Sequence, residues 1–377
     1  MALPNPNDPS QLQASGPTQT HTLAPLVDGA EDGGGWVLCK RVALRLALAV
    51  AAEHTLVADA VRAQSAPRVG WTPPCSHQTY EAPMGRWMGR CKNLKEIQSL
   101  RSIPMHPNII PLYDCFVLPS THELYLVFEP MEGILYQLIK TRKSKKVFPG
   151  GLVASIFQQA ASALDHVHSC GYFHRDVKPE NLLVTTTGLV NYPSASTLTP
   201  DAREEDLAVI IKLTDFGLAR EIDSHPPYTE YVSMRWYRAP EILLRSNDYS
   251  SPTDMWSFGT VIAELLNLRP LFPGTGEMDQ LKLINDILGD PSDAYGFDEN
   301  GRRCGGGPWR RGYGLAKPLG YRFPLNYPTP LARCFHENTP RSLIDCIEDL
   351  LRYDPAERLT AKQCLSHRFL AETAFNS

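Results

Sequence analysis

The chain carries His174-Arg175-Asp176-Val177-Lys178-Pro179-Glu180-Asn181, and thirty-nine residues after Asp176 it reads Asp215-Phe216-Gly217. These residue types could serve the transfer of a phosphoryl group. Moving a phosphoryl group requires a carboxylate to orient an attacking hydroxyl, and hard oxygen ligands for the cations that neutralise charge on the phosphates. Asp176 meets the first need, while Asn181 and Asp215 meet the second. Lys178, two residues from Asp176, places a cation where an anionic group would be handled.

Elements that could position these residues are legible on both sides. Leu94, Ile97, Leu100 and Ile103 recur at helical spacing and put an apolar stripe on one helix, with Glu96 on another face. Leu124 to Phe128 reads as a strand. Val153, Ile156, Phe157, Ala160, Leu164 and Val167 mark a long amphipathic helix that ends just before Gly171, ahead of the catalytic run. Trp256, Phe258, Val261, Ile262, Leu265 and Leu266 predict a helix buried nearly all round, and Leu343, Ile344, Ile347, Leu350 and Leu351 a last amphipathic one. Residues 1 to about 40 are rich in Pro, Gly, Ser, Thr and Gln and read as a disordered tail. Arg41 to Gln64 is Ala- and Leu-rich and reads as a lone helix within an irregular segment, 41–90, broken by Pro67, Pro73, Pro74 and Pro83. Thr185 to Val209 reads as a surface loop, and Lys140 to Lys146, with five basic residues in seven, as a solvated one.

Composition narrows the partners. Lys and Arg number 37 against 41 Asp and Glu, a net charge of −4, too mild to suggest nucleic acid or an anionic membrane surface. The nine cysteines form no Cys-x-x-Cys pair, as expected of reduced intracellular thiols. The apolar run Leu44 to Ala52 is interrupted by Arg45 and is too short to span a bilayer, and the first ten residues hold no Lys or Arg of a secretory signal. The expectation is a cytoplasmic or nuclear protein.

Over roughly residues 90 to 372 the chain resembles a eukaryotic Ser/Thr protein kinase, of the group holding the cyclin-dependent and MAP kinases, most similar to the male-germ-cell-associated and fungal meiosis-inducing kinases. The motifs behind this are the two acidic clusters, Thr229-Glu230-Tyr231 ahead of Trp236-Tyr237-Arg238-Ala239-Pro240-Glu241, and Asp354-Pro355-Ala356-Glu357-Arg358. The resemblance implies an α+β, bilobal fold: a remnant of the β-rich small lobe over 91–130, and a mainly helical large lobe over 131–372 with a group-specific insert over 276–324 and a tail from 373. It implies ATP and Mg2+ as cofactors, Asp176, Lys178 and Asn181 as catalytic residues, and Asn181 and Asp215 as metal ligands. Glu96, Glu129, Met131 and Asp215 would contact the nucleotide, with Phe128 as gatekeeper. Glu241 would pair with Arg358. Thr229 and Tyr231 would be phosphorylated by an upstream activating kinase and drawn to Arg175. Lys178 is similar to Ser/Thr-specific kinases, so protein substrates with Ser or Thr follow, and Arg235 implies a preference for Pro after the target residue.

Two departures stand out. The Gly-rich loop and Val-Ala-x-Lys strand are missing: Gly33 to Leu38 lacks the third glycine, and Val42-Ala43-Leu44-Arg45 has Arg where the lysine belongs. Met234 stands where the family has a Thr whose hydroxyl supports the catalytic Asp. An active kinase is the leading expectation. The alternatives are a pseudokinase that acts as a protein-binding scaffold, and a normal kinase whose first ninety residues come from an altered start or splice.

Overall fold

A computed structural model describes residues 38–42, 95–117, 124–129, 131–142, 147–187, 208–224, 234–299 and 301–374. The chain divides into two compact units, residues 1–91 with 112–130, and residues 92–111 with 131–377.

In the first unit, β1 (Leu38–Val42) forms a strand where the sequence reads as the junction of a tail and a helix. It pairs antiparallel with a later strand, Leu124–Phe128, in the register Leu38↔Phe128 to Val42↔Leu124. That pairing satisfies a backbone edge, and it overrides the local helix propensity. Of the expected tail over 1–40 and the helix expected over Arg41 to Gln64, residues 38–42 are strand instead; the rest of both lies outside the described residues.

The second unit opens with α1 (Lys95–Ser102), which buries Ile97 and, with it, Glu96. Residues 92–111, expected with the small lobe, belong to this unit. The reason is backbone pairing: Ile110 donates to the Leu213 carbonyl at 3.0 Å, and Leu213 donates back to Asn108 at 2.8 Å. The chain then returns to the first unit as β2 (Leu112–Val117) and β3 (Leu124–Phe128), which complete an antiparallel sheet in the order β1-β3-β2.

Back in the second unit come β4 (Gly133–Ile134), α2 (Leu135–Thr141) and the long α3 (Gly150–Ser169). All six apolar positions expected to face the core from α3 are buried. Gly171, at φ +78°, then reverses the chain into β5 (Tyr172–Phe173), a conformation that costs a residue without Cβ little. A short 3-10 turn, Pro179–Asn181, leads into β6 (Leu182–Thr187), which pairs with β7 (Ala208–Leu213) and, on its other edge, with β4. The predicted loop over 185–209 therefore begins and ends as strand. β8 (Arg220–Glu221) pairs with β5.

The remainder is helical: α4 (Pro240–Leu243), α5 (Pro252–Asn267), α6 (Glu277–Leu288), α7 (Arg310–Ala316), α8 (Arg341–Leu350), α9 (Ala361–Leu365) and α10 (Arg368–Ala374), the last running past the expected tail boundary. Trp256, Phe258, Val261, Ile262 and Leu265 of α5 are wholly inaccessible, as a helix apolar nearly all round must be. Phe157 of α3 meets Phe258 with ring centroids 5.1 Å apart and Phe369 edge-on at 5.5 Å. Each such side chain contributes about 1.5–3 kcal/mol on burial. This core is the floor on which the catalytic run lies.

Candidate active site

The loop after β5 is pinned from below by one carboxylate. Asp254 of α5, 1% exposed, accepts from the backbone N–H groups of His174 and Arg175, both at 2.7 Å, and from His168 Nε2 at 2.9 Å. Burial alone would raise its carboxyl; the hydrogen bond and charge of His168, with the His174 contacts, outweigh it and hold Asp254 below its ordinary value. The anchor has a use: Arg175 sits at φ 71°, a left-handed conformation a long side chain adopts only when its surroundings enforce it.

Asp176 follows immediately and is 6% exposed. Its Oδ2 accepts from Lys178 Nζ at 2.7 Å and from Asn181 Nδ2 at 3.0 Å, and the same amide nitrogen donates to the Asp176 carbonyl at 2.7 Å. The three residues expected to be catalytic are thus one hydrogen-bonded cluster. His174 braces it: Nδ1 accepts from the Asp176 N–H at 3.3 Å, and Nε2 donates to the Thr214 carbonyl at 2.9 Å. Phe216, wholly buried, meets the His174 ring edge-on at 5.0 Å.

Thr214 also donates from its backbone to the Asn181 carbonyl at 3.0 Å, which ties the two expected metal ligands together through the main chain. Asp215 has φ 66° and ψ 66°, another left-handed residue. Such strain collects at functional turns. A Cβ added at Gly217 would meet Asp215 Oδ1 at 3.3 Å and Glu96 Oε2 at 3.8 Å, so this glycine lets two carboxylates close on the turn. Asn181 spends its amide nitrogen on Asp176, which leaves its oxygen as the ligating atom. An oxygen-only pair from Asn181 and Asp215 fits Mg2+, a hard cation.

The other expected contacts fall as follows. Phe128 is buried at the end of β3, and Glu129 follows it as the last described residue of the first unit. Met131 opens the run of the second unit, its sulfur 3.4 Å from Thr185 Oγ1. Thr229 and Tyr231 lie outside the described residues. Met234 is 42% exposed and borders a recess with Arg175, Asp176, Tyr237, Arg238 and Ile242. Lys178 and Asn181 donate to the Asp176 carboxylate, and a thioether at position 234 offers no donor.

To Arg175, already singled out in the sequence, the structure adds Lys95, Arg220 and Glu264, which were not. Lys95 of α1, Arg175 and Arg220 of β8 form a basic cluster: burial, then the charges of Arg220 and Arg175, push the Lys95 ammonium below its ordinary value. Arg175 itself donates to Tyr249 Oη at 2.5 Å and to the Leu218 carbonyl at 3.3 Å. On the far side of Asp176, Tyr237 donates to Glu264 Oε2 at 2.7 Å. Burial raises both the Glu264 and the Glu180 carboxyl, and the charge of Glu180 raises Glu264 further, while Lys140 draws both down. Among the described residues neither Glu180 Oε2 nor Glu264 Oε1 has a hydrogen-bond partner.

Residues 85–370 match the pattern of the protein kinase domain. The human serine/threonine-protein kinase MAK is 41% identical over 279 residues, 74% of this chain and 38% of that protein. The rice (Oryza sativa subsp. japonica) cyclin-dependent kinase F-4 is 40% identical over 285 residues, 76% of this chain and 53% of that protein. The meiosis induction protein kinase IME2/SME1 of Saccharomyces cerevisiae is 36% identical over 283 residues, 74% of this chain and 43% of that protein. The matched region thus spans only about two-fifths to one-half of these relatives' own length. With its two acidic clusters joined in one network and three quarters of its length aligned to these enzymes, the chain belongs to the protein kinase family, in the group of the cyclin-dependent and MAP kinases.

Proposed function

We propose that the chain is a protein serine/threonine kinase. The observation that carries this is the Asp176 carboxylate, fixed by Lys178 and Asn181 and tied through Thr214 to Asp215. ATP with Mg2+ supplies the phosphoryl group and the charge neutralisation when bound. Asp176 orients the Ser or Thr hydroxyl of a protein substrate and receives its proton. Lys178 holds positive charge at the same spot, and Asn181 and Asp215 offer the oxygens for the metal.

Two features refine the substrate and its control. The unpartnered oxygen of Glu180, a half-buried residue beside the catalytic run, favours a substrate with a basic side chain near the target residue. The cluster of Lys95, Arg175 and Arg220 suits phosphates at Thr229 and Tyr231 delivered by an upstream kinase, each adding roughly −1.5 to −2 charge. Mass spectrometry of the active protein tests that regulation: unmodified Thr229 and Tyr231 in a fully active sample would end it.

A second reading, a scaffold that binds partners without turnover, is favoured by Met234, which withholds a hydroxyl from Asp176. Phosphotransfer from labelled ATP to a basic Ser/Thr protein, run beside Asp176→Ala, separates the two. Signal in the parent alone supports the kinase; equal signals in both remove it.

A further inference from the structure

Away from the catalytic cluster, two imidazoles lie face to face. His106, in the turn after α1, stacks on His166 of α3 with ring centroids 4.7 Å apart and 22° between planes. His106 Nδ1 accepts the backbone N–H of Asn108 at 3.2 Å, and its Nε2 lies 3.3 Å from Ser162 Oγ. His166 Nε2 lies 2.9 Å from the Pro104 carbonyl, so it carries a proton and donates. A ring nitrogen that accepts from an N–H has no proton of its own, so this geometry requires a neutral His106.

The same turn grips the end of β7. The Asn108 side chain donates to the Ile211 carbonyl at 3.0 Å and to Gln159 Oε1 at 3.0 Å, while Leu213 exchanges backbone hydrogen bonds with Asn108 and Ile110. Leu213 stands two residues before Asp215. Asp165 of α3, Cys170 just past its end and Lys212 of β7 face the histidine pair. Burial, then the charge of His166, holds the His106 ring below its ordinary value; Asp165 opposes this and Lys212 adds to it.

We propose that His106 is an acid-sensitive latch: a solvent proton taken up at Nδ1 removes the acceptor of the Asn108 N–H, repels His166 and loosens the end of β7 that leads to Asp215. The sign follows from the preference for the neutral ring. A folded state that resists protonation keeps its full stability above about pH 6.5 and loses it as the pH falls below that value.

Hydrogen exchange on the full chain at about pH 7.5 and about pH 5.8, corrected for intrinsic rates, reads the latch at the Ile110 and Leu213 amides. His106→Asn keeps an acceptor for the N–H two residues on but does not titrate. In the parent, protection at these amides falls roughly fivefold on acidification, and in His106→Asn by less than about twofold. Equal losses in the two proteins would overturn the latch. So would an NMR titration of the parent in which His106 protonates at or above the ordinary value of about 6.5, a measurement that stands even if the variant does not fold.

Discussion

Arg358 meets Glu241 through two parallel hydrogen bonds, Nη1 to Oε1 at 2.6 Å and Nη2 to Oε2 at 2.7 Å, across 117 residues of sequence. The pair is buried, and the guanidinium also donates to the carbonyls of Arg352, Pro252 and Tyr353 while lying 5.1 Å from the Trp256 ring. All five of its N–H donors are therefore spent, which a lysine cannot reproduce. Removing one partner strands the other charge in the core. Arg358→Ala is expected to cost about 3–5 kcal/mol in urea unfolding, and Arg358→Lys to recover only a minor part of it.

Met234 borders the Asp176 recess and offers no hydrogen bond. Met234→Thr places a hydroxyl there. If one positioning hydrogen bond is worth about 1–3 kcal/mol, kcat rises by roughly tenfold and at most about a hundredfold. Steady-state kinetics check this, with kcat moving more than the KM for ATP; an unchanged kcat would show that Asp176 needs no hydroxyl at position 234.

The Asp254 carboxyl is held below its ordinary value, so its ionised form contributes stability that is complete above about pH 4 and is lost as the pH falls through the folded value. His168 supplies the first of the interactions that lower it. His168→Leu is expected to raise the folded value and move acid unfolding to higher pH. Circular dichroism across an acid titration measures the midpoint, and a midpoint equal to the parent's would mean that the backbone N–H groups of His174 and Arg175 suffice.

What could be read in the sequence was local or periodic. The run from His174 to Asn181 specifies its own cluster because Lys178 and Asn181 reach back over only two and five residues to Asp176. The helices α3, α5 and α8 follow from apolar spacing that only a buried face explains. By contrast, Lys95 and Arg220 come together from elements 125 positions apart, and Tyr237 finds Glu264 across 27, with no periodicity to announce either. The strand Leu38–Val42 was hidden for a similar reason: its partner is β3, more than eighty residues on, while its neighbours favour a helix.

Glu180, half-buried, has a carboxylate oxygen with no partner among the described residues, whereas Glu264 is fully buried and held by Tyr237. A substrate arginine or lysine would repair that deficit, so peptides with a basic residue near the target are expected to show a lower KM than their alanine counterparts. Glu180→Gln should erase most of the difference, roughly tenfold, while leaving kcat on the neutral peptide within about twofold. Parallel KM measurements on the two peptides decide it, and a preserved difference in Glu180→Gln would assign basic-residue selection elsewhere.

Strand β1 bears on whether the nucleotide can be gripped at all. A kinase needs a lysine for the α- and β-phosphates on a strand of its small sheet. Among the described residues of the first unit's sheet, Lys40 is the one lysine, in register with Leu126 of β3, and Arg41 beside it pairs with Tyr125. Lys40→Met is expected to lower phosphotransfer by roughly a hundredfold or more if this lysine supplies the positive charge for the phosphates. Arg41→Met, its pleat neighbour, should change the rate by less than about threefold, because successive strand residues point to opposite faces. Turnover of labelled ATP by the two variants gives the answer. Equal losses would mean that the strand matters only as structure, and no loss in either would place the phosphate grip on another segment.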